Sequence, residues 1–219
     1  MTGAPERSLS AFENEALLRN IGVTEDQLLD SLAAGDAAAA RCTPNHPPMA
    51  PGFYRFSETV AALAEHLATD GWTRCDYKNF STVVRGDSRI AIAVASGDHG
   101  TGDLSAAVTT RSPKGITTYE AIEINLLLPY DERYIAENRR AVEKEEGEDV
   151  DRITYFLLHD RRDGILCAEL SRPKLMDESG YVQAWEPRIP LNRKGLDPIQ
   201  IDFGGGDPPL NPIVDIARR

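Results

Sequence analysis

The stretch RIAIAVASGDHGTGDLSAAVTTRSPKG, Arg89 to Gly115, decides how the rest of the chain is read. Ile90, Ile92 and Val94 alternate with Ala91, Ala93 and Ala95. Successive strand side chains point to opposite faces, so one face is large and apolar and the other is small enough for a second layer to approach closely. The pattern predicts a strand covered on both sides. It ends at Ser96-Gly97, and Asp98-His99-Gly100-Thr101-Gly102-Asp103 then mixes glycines, which permit positive φ and close backbone approach, with hydrogen-bonding side chains. The stretch closes on a basic, proline-marked turn, Thr109 to Gly115.

Working outward, Trp72–Tyr77 and Phe80–Val84 have strand spacing, and Arg85-Gly-Asp-Ser88 reads as a turn into the central strand. Turns this short predict antiparallel neighbours. On the carboxyl side Ile153–Leu158 and Ile165–Leu170 flank His159–Gly164, which ends in the hairpin signal Asp-Gly. A further turn at Asp177–Gly180 leads into a run from Tyr181 through Trp185 towards Leu191, where Pro187 and Pro190 predict an edge strand or irregular crossing. Between the two strand groups, Thr117 or Thr118 can cap a helix carrying Ala121, Ile122, Ile124, Leu126 and Leu127. Asp131–Glu148 reads as a solvated charged helix, and residues 202–219 as a loop with a short terminal helix.

Ahead of the strands, Ser10-Ala-Phe-Glu13 and Thr24-Glu-Asp-Gln27 are capping-box patterns, each followed by an apolar stripe. They predict a helical hairpin over residues 1–42, with the alanine run 37–40 extending the second helix or forming another. A proline-rich linker over 43–56 follows, because prolines remove amide donors and fix φ. Residues 57–219 make the body, opening on a helix capped by Ser57 with Val60, Leu63, Ala64 and Leu67 on one face. The fold class that results is α+β, a largely antiparallel sheet with helices on one face and an N-terminal helical hairpin.

Composition limits the function. The chain has 219 residues, 41% of them hydrophobic, enough for a substantial core. Its formal charge of −11 argues against non-specific binding to nucleic acid or anionic membranes, since phosphate neutralisation needs clustered Lys and Arg. There is no apolar run of membrane-spanning length, and the beginning MTGAPERSLS has no signal-type apolar core, which predicts a cytoplasmic protein. Cys42, Cys75 and Cys167 are widely spaced and form no CxxC pair, so no disulfide framework or zinc ribbon is expected.

Two loops could carry chemistry. The first, 96–103, follows a strand as nucleotide-binding loops do, but matches neither GxxxxGK[ST] nor GxGxxG, and its aspartates would repel phosphate. Asp98 and His99 are its candidate catalytic residues. Together with Thr101 and Asp103 they supply metal-type ligands, but outside any EF-hand register, so no metal site is assigned. In the second loop, Thr110, Arg111, Ser112 and Lys114 are candidate anion-binding residues, standing just ahead of a helix N-terminus where free N–H groups favour anions. The nucleophile elbow GxSxG and the acid-x-Lys pattern of metal-dependent nucleases are both missing from the strands expected to carry them. The reading is a soluble bacterial-type binding or regulatory protein using loops 96–103 and 109–115, with another protein or a small anionic ligand as partner. Two alternatives stay open: a small hydrolase or transferase acting on a phosphorylated substrate, and an acidic inhibitor that mimics nucleic acid. No cofactor is specified by any motif.

Overall fold

The computed structural model describes residues 11–86, 89–127 and 152–191. The described chain runs α1 (Ala11–Ile21), α2 (Glu25–Ala40), α3 (Ala50–Leu67), β1 (Trp72–Tyr77), β2 (Phe80–Arg85), β3 (Ile90–Ser96), α4 (Ile116–Leu127), β4 (Ile153–Arg162), β5 (Ile165–Met176) and β6 (Val182–Leu191). The strands form one six-stranded sheet in sequence order, antiparallel except where β3 and β4 lie parallel. Parallel neighbours need a crossover, and the connection through α4 supplies it. The fold is α+β with a mostly antiparallel sheet, as the alternation and turn signals predict.

The helices divide between the faces. On one, Ile90, Ile92 and Val94 of β3 join Ile153, Tyr155 and Leu157 of β4 in a cluster with Leu18, Leu28, Leu32, Leu63 and Leu67 from α1, α2 and α3. On the other, Ala93 and Ala95 meet Ile122 of α4 together with Val108, Phe156, Leu158, Val182 and Trp185. The covered strand expected from the Ile/Ala alternation is therefore observed, with α4 on the face of small residues.

Local chemistry explains most helix bounds. Thr24 caps α2 in a complete capping box: its hydroxyl accepts from Gln27 N–H while Gln27 Oε1 accepts from Thr24 N–H. The alanine run continues α2 through Gly35. A Cβ at Gly35 would collide with the Thr59 hydroxyl and the Arg55 carbonyl, so glycine lets α2 and α3 approach. The helix expected to start at Ser57 starts instead at Ala50, inside the proline-rich segment, because Pro51 sits in the first turn, where a missing N–H costs nothing. Likewise α4 begins at Ile116, ahead of Thr117, and Thr118 is buried within it. The β4–β5 turn is shorter than the six residues expected: both strands run on to Asp163-Gly164, whose φ values of 52° and 80° suit a two-residue hairpin turn. Ser10, Asp87 and Ser88 of the Arg85–Ser88 turn, the charged segment 131–148 and the tail 202–219 lie outside the described residues.

Candidate functional site

β3 ends at Ser96, opposite His159 of β4, which runs on to Arg162, and loop 96–103 leaves the sheet there. Beyond Ser96 the chain continues its ladder on loop 109–115. Asp98 N–H donates to Thr109 O at 3.0 Å, Arg111 N–H donates to Ser96 O at 2.9 Å, and Gly97 bridges Thr110. The two loops therefore converge, joined backbone to backbone.

What the candidate side chains do there is specific. Asp98 accepts from Gly100 N–H on Oδ1 and from the Thr109 hydroxyl on Oδ2, both at 2.9 Å, so its carboxylate closes the glycine turn. His99 has an exposed ring, and its carbonyl accepts from Arg162 at 2.8 Å. Thr110 is 1% exposed and exchanges bonds with β6: its hydroxyl accepts from Val182 N–H, and its own N–H donates to Val182 O. Arg111 forms an ion pair with the buried Asp160. Ser112 is exposed and accepts from Lys114 Nζ at 3.4 Å. Burial depresses the Lys114 ammonium below its ordinary pKa. Among the described residues no group of three or more His, Cys, Asp or Glu could hold a metal ion.

The loop is held down from beneath by two arginines. Arg188 of β6, buried and paired with the fully buried Glu169 at 2.7 Å, also donates to the carbonyls of Gly100, Asp103 and Ala106. Glu169 in turn accepts from Gly102 N–H at 2.8 Å and from the Ser171 hydroxyl at 2.7 Å. Arg162 donates to the carbonyls of His99 and Thr101. A loop lacking regular structure leaves backbone carbonyls without partners, and these guanidiniums supply them.

Two features escape the sequence reading. One is a polar cluster on the helix face, where the buried Asp36 of α2 accepts from Arg55 of α3 at 2.9 Å and pairs with Arg161 of β4. His159 lies among these groups. Its burial, then the positive charge of Arg55, hold its imidazole down to a pKa of about 4, against a smaller opposing pull from Asp36. The signal was a lone aspartate, Asp36, set among alanines on the buried side of α2. The other feature is a cleft of about 1120 Å³ between residues 102–108 and β6, lined also by Lys174, Trp185 and Glu186. Trp185 Nε1 donates to Val108 O at 2.9 Å and fixes one wall. Nothing local marks this cleft in the sequence, since its walls are brought together by the crossover.

No known protein family, curated protein or solved structure matches the chain. Among the described residues no helix is long and apolar enough to cross a membrane.

Proposed function

We propose that the protein is a non-catalytic, cytoplasmic binding protein that takes an extended segment of a partner protein in the cleft beside loop 96–103. The observation that carries the reading is the shape of that cleft. Its volume of about 1120 Å³ exceeds the roughly 300–1,000 Å³ of ordinary small-molecule sites. Its walls are a loop backbone fixed by Arg188 and β6, which ends the sheet among the described residues and carries Trp185. Preformed walls reduce the entropy lost when a flexible chain binds. Asp98 and Arg111 support a binding role more than a catalytic one, because both already serve internal bonds.

The test is selection of a displayed random-peptide library on the parent protein, followed by binding to Ala107→Trp, which fills the cleft from an exposed position. Selected peptides should lose at least about tenfold in affinity on that variant, roughly 1.4 kcal/mol. Equal affinity would remove the cleft from the proposal. A second reading, a small anion held at 109–115, rests on Lys114, whose half-buried ammonium stands with Ser112 ahead of α4. Phosphate at low salt should then raise the melting temperature of the parent but not of Lys114→Met.

A further inference from the structure

β1 ends the sheet opposite β6, and among the described residues no strand pairs with its outer side. The turn after it fixes which of its backbone groups face outward. Lys78 and Asn79 have φ values of 47° and 63°, the positive pair of a two-residue type I′ turn, so Tyr77 and Phe80 beside it form a hydrogen-bonded pair. Pairs then alternate along an antiparallel ladder. Tyr77, Cys75 and Thr73 direct their N–H and C=O groups towards β2, which agrees with the Cys75 carbonyl accepting from the Thr82 hydroxyl at 3.2 Å. Arg74 and Asp76 direct theirs away.

Those outward residues carry opposite charges. Their side chains are 56% and 48% exposed and lie 2.8 Å apart along one face of the strand. In an antiparallel pairing of β1 with another β1, centred on Cys75, Arg74 of each copy stands opposite Asp76 of the other as a hydrogen-bonded pair. Sliding the centre by one residue sets Arg74 against Arg74 or Asp76 against Asp76, which repel. Backbone direction allows all three registers, and charge selects the one centred on Cys75. Charged side chains usually guard an edge against pairing, whereas here one register sets opposite charges face to face. We propose that β1 docks a second copy of this chain, extending the sheet across a two-fold axis at Cys75.

The experiment uses the full chain with Cys42→Ser and Cys167→Ser, leaving Cys75 as the reporter. Opposed non-hydrogen-bonded residues have Cα atoms about 4.5 Å apart, within disulfide reach. Sedimentation should give a concentration-dependent dimer. Diamide, accepting two electrons and two protons from the facing thiols, should convert it to a Cys75–Cys75 cross-linked species. Arg74→Glu and Asp76→Arg should each weaken the dimer at least about tenfold, since a two-fold axis duplicates every like-charge contact. The double swap R74E/D76R, which restores opposition both within and between copies, should return to within about threefold of the parent, well under 1 kcal/mol. Circular dichroism checks the fold of each variant, and the swap and the parent cross-link decide the matter if a single variant unfolds. A monomer at every concentration up to roughly 1 mM, a dimer indifferent to either reversal, or a swap no better than the singles would overturn the proposal.

Discussion

On the helix-covered face, β3 presents Ile90, Ile92 and Val94 to side chains from three helices; on the other it presents Ala93 and Ala95 to one helix and a loop. The first face is filled by large apolar groups and holds one buried aspartate, Asp36, bound by the partly exposed Arg55 and Arg161. The second admits backbone where the first admits side chains, and a buried ion pair, Glu169–Arg188, sits within it. The difference follows from what covers each face. A helix satisfies its own peptide groups, while a loop brings carbonyls that must be bonded by something beneath. The glycine-rich, polar composition of 96–103 is thus accounted for by the covering of a sheet.

The comparison can be broken most severely by deleting residues 1–42, which also tests the division into hairpin, linker and body. Leu18, Ile21, Val23, Leu28, Leu29 and Leu32 belong to the same cluster as the sheet. Each such side chain contributes about 1.5–3 kcal/mol on burial, so the fragment is expected to lose its cooperative thermal transition. A fragment that melts like the parent would make the hairpin an appendage.

Next in size is Arg188→Met. It leaves Glu169, at 0% exposure, without its ion-pair partner and frees three loop carbonyls, and breaking a buried pair from one side costs about 3–5 kcal/mol. Denaturant unfolding should show that loss, with a smaller one for the double variant Glu169→Leu/Arg188→Met, in which no lone charge remains.

The buried polar cluster of the helix face should respond to pH. His159 has a folded pKa of about 4, against 6.5 ordinarily. Between those values the unfolded chain binds a proton that the folded chain does not, so stability contributed near pH 7 is lost as pH falls from about 6.5 towards 4. The shift amounts to about 3 kcal/mol. Unfolding of the parent and of His159→Leu at both ends of this window isolates the term, and equal pH slopes would place the imidazole in contact with water.

The smallest effects belong to the rim of the loop face. Arg111→Met should cost about 1–3 kcal/mol by stranding the buried Asp160, whereas Lys114→Met should stay within about 0.5 kcal/mol. The contrast separates two residues that look equivalent in sequence. Chemical denaturation of the two variants side by side measures it.

How legible this was depends on range. The Ile/Ala alternation, the Thr24 capping box and the Asp163-Gly164 turn are local patterns, and each is present in the structure. Arg188 and Glu169 are not local: their partners at Gly100, Gly102, Asp103 and Ala106 lie far away along the chain. In sequence Arg188 is only a residue between two strand-weakening prolines. The convergence of loops 96–103 and 109–115 was open for the same reason, since it depends on residues 96–98 and 109–111 finding each other after an intervening turn. The start of α3 is hidden for a different cause. A proline breaks a helix interior but is well tolerated in a first helical turn, so Pro51 is compatible with either side of the boundary.

The parallel pairing of β3 with β4 also bears on the order in which the chain assembles. Hairpins β1–β2 and β4–β5 close over two-residue turns, but Ile90 must wait for Ile153, with the whole crossover between them. Closing a long segment before any contact rewards it slows such steps relative to hairpin formation. On the ribosome, β3 emerges well before its parallel neighbour. Until β4 arrives, a nascent chain holds its most apolar strand as an open edge, exposed to unwanted pairing between copies.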